Sequence, residues 1–177
     1  MFAYRASSIP AIQPVELAVR AKVQGAMVQR ISTFNWRKTE LGPLPYWQPS
    51  LRIAVDMMLL SPFPSAVVWG GDMTVIHNDG YAALLNARDD ALGKRFDTVW
   101  ETAWGDIGPK VFKVMESGIG LLEANPRAIQ HGDAEASAWY LFSYTPLFNE
   151  QHEVAGMLHT AVRTMSDGTT LANGGGA

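Results

Sequence analysis

Cysteine is absent from the 177 residues. That excludes disulfides, thiolate metal sites, a cysteine nucleophile and cysteine-linked flavin photochemistry. Long apolar runs are also missing: none reaches the roughly 18 residues of a membrane-spanning helix. The opening stretch, MFAYRASSIPAIQPVE, has no uninterrupted apolar centre and supports no secretory signal. Basic runs are lacking too, and the net charge is -3, which argues against electrostatic binding to nucleic acid. A cytoplasmic protein without a membrane segment is the expectation. The four histidines, His77, His131, His152 and His159, share no metal-ligand spacing. No nucleotide-binding glycine loop is visible, and Ser143 sits in no G-x-S-x-G elbow, which argues against a hydrolase.

What is present is a core. Hydrophobic residues make up 47% and charged ones 18%, a globular balance, and the length suits one domain with flanking elements. The densest signal is WGGDMTVIHNDGY, Trp69 to Tyr81. An apolar run from Ser65 to Trp69 meets the turn Gly70-Gly71-Asp72. A second run covers Met73 to His77, and Asn78-Asp79-Gly80 opens a helix at Tyr81. The pattern is strand, hairpin, strand, helix. Asp79 is expected to cap that helix and Asn78 to pin the strand end.

Upstream, residues 1–14 read as irregular. Leu17, Ala21, Gln24, Val28 and Ile31 then recur at helical spacing, so an amphipathic helix is expected over about 15–32, packed on its own domain or pairing two copies. A second helix starts near Pro49-Ser50. Leu51, Val55, Met58 and Leu59 share one face, Arg52 and Asp56 form an i,i+4 pair, and Ser61-Pro62-Phe63-Pro64 ends it. Downstream, a short helix is expected over Ala87–Leu92, closed by Gly93. A longer one carries Trp104, Ile107, Val111, Val114 and Met115, with Gly108-Pro109 as a restart or kink and Gly118 as its stop. The last third alternates. Leu121-Leu122-Glu123 is a short strand, and Asn125 to Ala138 reads as a loop. Trp139 to Leu147 is a strand with Tyr140, Phe142 and Tyr144 on one face, and Val154 to Val162 closes the sheet. Asp167 onward is expected to be a flexible tail. The expected fold is α+β: a five-stranded antiparallel sheet with helices on one face, preceded by N-terminal helices.

This order resembles a PAS domain, of the subgroup found at the N-terminus of bacterial sensor histidine kinases. The residues that carry the resemblance are Trp36, Thr39, Leu41-Gly42-Pro43 and Trp47, then Leu51-Arg52, Val55, Met58-Leu59 and Ser61-Pro62-Phe63-Pro64. Trp69-Gly70, Asn78-Asp79-Gly80-Tyr81, Leu92-Gly93 and the stretch from Val99 to Pro109 follow, with Phe142-Ser143-Tyr144-Thr145-Pro146 and Val154-Ala155-Gly156 at the end. The match spans about 34–165, so the division expected is 1–33 N-terminal segment, 34–165 PAS domain and 166–177 tail. Gly80 stands where alanine is usual, His77 where tyrosine is common, and the usual acidic pair before the aromatic strand is lacking. No kinase motif is expected in the residues given, and His152-Glu153, which has the form of a phosphoacceptor dyad, is expected in a turn between strands.

The resemblance implies signal input without catalysis. A small molecule or partner alters the sheet, and flanking helices transmit the change, in trans or as the input part of a histidine kinase. A homodimer and a signalling protein partner are the expected assemblies. Haem-holding PAS domains use a histidine on the helix before the third strand, and the Trp104 helix has none, which argues against haem. The ligand pocket is expected between the sheet and that helix, lined by Trp104, Phe112, Met115, Tyr140, Phe142 and Tyr144. Two other readings stay open. One is a ligand-free dimerisation adaptor. The other is a small enzyme using His77 or His159 with Asp106 or Glu101, although those two carboxylates also suit a helix N-terminus.

Overall fold

The computed structural model describes residues 25–85, 90–130 and 137–164. Helix α1 is Ala26–Thr33 and α2 is Pro49–Leu60. Strands β1, Ser65–Trp69, and β2, Thr74–His77, form the hairpin, and α3, Asp79–Leu84, follows. Then come α4, Phe96–Val99, and α5, Trp104–Ser117. Strands β3, Leu121–Leu122, β4, Arg127–Gln130, β5, Ser137–Phe148, and β6, Val154–Arg163, complete the chain. The sheet is antiparallel in the order β2-β1-β6-β5-β3, with β4 also pairing β5.

The expected five strand positions are present, and the third is split. Leu121 faces Tyr144, and after a three-residue bend and Pro126 the chain returns to pair Arg127 with Tyr140. The segment Asn125–Ala138, expected to be loop, therefore contains β4. Its pairing partner supplies the hydrogen bonds that its own polar, weakly patterned sequence does not announce. Residues 131–136 lie outside the described residues, as do residues 1–24, most of the expected 15–32 helix, and the tail from 165 on. So do 86–89. Ala91 and Leu92, expected in a short helix, are not helical: Leu92 and Gly93 form a turn, and Gly93 N–H bonds to Val75 O at 2.8 Å.

Local chemistry sets the joints. Asn78, not Asp79, caps α3: its Oδ1 accepts from Tyr81 N at 2.9 Å and from Ser65 N at 3.1 Å. Its Nδ2 donates to Phe63 O at 2.8 Å and Met58 O at 3.1 Å, tying α2, β1 and α3 together. Asn78 holds the extended backbone that an N-cap needs, so its short side chain meets the free N–H groups. Asp79, one position on, instead accepts from Met27 N and caps α1. The Arg52–Asp56 pair is not formed. Arg52 donates to Pro45 O at 2.7 Å, and burial raises the Asp56 pKa. Helix α5 runs through Gly108-Pro109 unbroken and stops at Gly118, whose φ of 64° suits a residue without Cβ.

Each face of the sheet has its own core. On one face α3, α4 and α5 cover Ala66, Val68, Val75, Tyr140, Phe142, Tyr144, Met157 and Ala161. On the other, α1, α2 and the turns carrying Trp36 and Trp47 cover Val67, Trp69 and Ile76. The four residues expected to share the inward face of α2, Leu51, Val55, Met58 and Leu59, are all buried there.

Candidate functional site

Sheet register brings the chain's chemistry into one row. Ala66 of β1 pairs with His77 of β2 on one side and His159 of β6 on the other. His159 pairs with Tyr144 of β5, and Tyr144 with Leu121 of β3. Residues directly opposite in a sheet point to the same face. The small Ala66 leaves room between the two imidazoles for the ring of Tyr81 from α3, with centroids 5.9 Å from His77 and 5.8 Å from His159.

The hydrogen bonds in this row run side chain to side chain. Trp100 Nε1 donates to Tyr81 Oη at 2.8 Å. An indole N–H can only donate, so the phenol hydrogen is left for His159 Nδ1, also at 2.8 Å. The other tautomer would leave the Tyr81 hydrogen without an acceptor. His159 therefore carries its proton on Nε2, and that buried atom has no hydrogen-bond partner. His77 is the opposite tautomer: its Nδ1 lies 3.1 Å from the Asn78 carbonyl, so Nδ1 carries the proton and Nε2 is the unpartnered atom. Burial holds the His159 pKa down to about 3 and lowers that of His77. Burial raises the pKa of Tyr81. Phe142 stacks on His159 at 4.9 Å and 6°, while Phe96 and Trp100 stand edge-on to it.

The row continues to the surface. Tyr144, 4.8 Å from the His159 ring, donates to Glu123 Oε1 at 2.9 Å. The side chain of Glu123 is only 4% exposed, and the same oxygen accepts from Lys110 at 3.0 Å and from Arg127 at 3.4 Å. Burial, then the neighbouring Glu123, raises the Tyr144 pKa. Arg127 also reaches Asp106 at 2.7 Å and holds its carboxyl below the usual range. These four charges line a groove of about 580 Å³ between α5 and the β3–β4 edge, together with Leu121, Leu122, Ala124, Asn125, Pro126 and Ala128.

Of the six residues expected to line a pocket, Tyr140, Phe142 and Tyr144 come together on the face covered by α3, α4 and α5. Trp104 and Met115 pack partly buried against them. Phe112 does not join them. It is 51% exposed on the far side of α5, edge-on to Trp104. Sequence reasoning passed over Tyr81, Trp100, Lys110, Glu123 and Arg127. The available signal was His159, which alternates with Met157 and Ala161, both buried. No group of His, Asp or Glu residues suited to a metal ion is found among the described residues, and no helix there is long and apolar enough to cross a membrane.

No family model and no curated protein matches this sequence. Solved structures do. A phage VqmA–DPO complex is 13% identical over 64% of this chain and 52% of that chain, with a TM-score of 0.52. The Vibrio cholerae VqmA dimer, solved in the absence of target DNA, is 14% identical over 63% and 50%, with a TM-score of 0.50. A PAS domain from Colwellia psychrerythraea is 16% identical over 64% and 96%, with a TM-score of 0.47. The chain spans about half the length of the VqmA chains it matches. At these identities the likeness is one of fold: an α+β, PAS-like open antiparallel sheet with helices packed on it.

Proposed function

We propose that this chain is a sensory PAS domain, not an enzyme, whose input acts on the buried row Tyr81–His159–Tyr144. The observation that carries the reading is the His159 Nε2 atom. It is a donor held inside an aromatic core with nothing to donate to, and the row it belongs to ends at an open groove. A buried polar atom without a partner costs about 1–3 kcal/mol, so anything that satisfies it shifts the packing around it. Strands β1 and β6 carry that shift to the outer face, because Val67, Trp69 and Leu158 pack under α1 and α2. Those helices are the output, in trans or within a histidine kinase. The VqmA structures include a DPO complex and a dimer, which supports a small-molecule input and a homodimer here. The net charge of -3 supports a partner other than nucleic acid, and the lack of cysteine fits a cytoplasmic location.

A second reading is the interaction adaptor. Ile53, Met57 and Leu60 lie on one exposed side of α2, an apolar stripe suited to a protein partner. The enzyme reading has less support: His159 Nδ1 meets a phenol and His77 Nδ1 a backbone carbonyl, not a carboxylate. Native mass spectrometry of the purified chain, with an absorbance scan, tests the proposal. A small molecule retained by the folded chain is expected. A bare mass that no metabolite extract changes, in a chain that still dimerises, would favour the adaptor instead.

A further inference from the structure

The groove between α5 and the β3–β4 edge is built around one replaceable anion. Glu123 is not that anion: its side chain is 4% exposed, and three donors converge on Oε1. Asp106 is. It is 67% exposed, whereas the cations it meets, Lys110 and Arg127, are 30% and 22% exposed and face the groove. Asp106 uses one oxygen on one guanidinium nitrogen, Nη2, and makes no second, parallel bond to Arg127, whose Nε is buried. A guanidinium binds a carboxylate best through two parallel N–H bonds, so the present pairing leaves binding capacity unused.

We propose that this groove binds a small monocarboxylate with an apolar body, whose carboxylate displaces Asp106 from Arg127 and Lys110. The inference rests on the sensory reading above and names the input class. The charge it takes is single, because a dianion such as phosphate would face the buried Glu123. Glu123 Oε1 is closed to a ligand ammonium, since it already accepts from Tyr144, Lys110 and Arg127. Leu121, Leu122, Ala124, Pro126 and Ala128 supply the apolar wall. Displacement also releases the first turn of α5 from the sheet edge, because Asp106 is the residue by which that turn holds β4.

The test is a ¹H–¹⁵N titration of the full chain with hexanoate, and with hexanamide as the neutral match. Saturable shifts at Glu123, Ala124 and Arg127 with hexanoate alone are expected. Arg127→Lys, which keeps the charge beside Glu123, should weaken hexanoate roughly tenfold by removing the paired N–H bonds. Asp106→Asn should tighten it by roughly threefold, since the competitor it removes is an exposed ion-pair partner. Hexanamide binding as well as hexanoate, no gain with Asp106→Asn, or shifts confined to other surfaces would overturn the proposal. A metabolite retained in native mass spectrometry alongside any of those results would leave the sensory reading standing and remove only the groove.

Discussion

The outer and inner cores lie on opposite faces of the same strands and treat their polar atoms differently. On the outer face Trp36 Nε1 donates to Ile31 O at 2.7 Å and Trp47 Nε1 to Gly42 O at 2.9 Å, each a backbone carbonyl five residues away. Those indoles fill volume and close their own turns. On the inner face Trp100 donates to Tyr81, Tyr81 to His159, and Tyr144 to Glu123, between elements distant in the chain. Local bonds fix structure whatever happens elsewhere. Long-range side-chain bonds make distant elements depend on one another, which is what a sensor requires and a scaffold does not.

Trp36→Ala removes a fully buried indole from the outer core and should cost about 3–5 kcal/mol in urea unfolding, while the imidazole ¹⁵N shifts of His159 stay where they are. Movement of those shifts would mean that the two cores are not separable. Tyr81→Phe should cost about 2–4 kcal/mol, because Trp100 Nε1 and His159 Nδ1 both lose their partner in one step. A loss near zero would show that the inner network contributes little.

Acid sharpens the contrast next. The His159 pKa is about 3 in the folded chain and near the ordinary histidine value unfolded, so below about 6.5 the unfolded state binds the extra proton. The stability this group supplies is complete above that pH and is lost as pH falls from there towards 3, at up to about 1.4 kcal/mol per unit. His77, also lowered by burial, acts with the same sign. Urea midpoints at pH 7, 6 and 5 should fall steadily, and His159→Gln should flatten the slope. An unchanged slope would place the titration elsewhere. The smallest effect belongs to the outer surface of α2: Ile53→Gln with Met57→Gln should leave stability within about 0.5 kcal/mol. In sedimentation the same variant should shift a dimer towards monomer, and a dimer that resists it would move the contact away from α2.

Much of the fold was legible in the chain because periodicity reports a local environment. Leu51, Val55, Met58 and Leu59 announced the buried side of α2, and Tyr140, Phe142 and Tyr144 announced one face of β5. Strand β4 was not legible, since Arg127–Gln130 pairs with Trp139 and its neighbours rather than following a pattern of its own. The Asn78 cap escaped for a related reason: Asn and Asp both suit an N-cap, and only the backbone angles choose between them. Phe112 escaped because helical spacing does not say where a helix meets its sheet.

The α2, β1, β2, α5 and β5 elements, the exclusion of thiol chemistry and the shared face of α2 could be read from the chain alone, because each follows from composition or a repeat of a few residues. Only the tertiary structure decided that His77, Ala66, His159 and Tyr144 form one row with Tyr81 seated in it, and that Glu123 joins that row to a charged groove. Strand register and helix docking set those meetings. Both depend on contacts between residues far apart in the chain, 78 positions in the Tyr81–His159 bond, and no local pattern encodes such a distance.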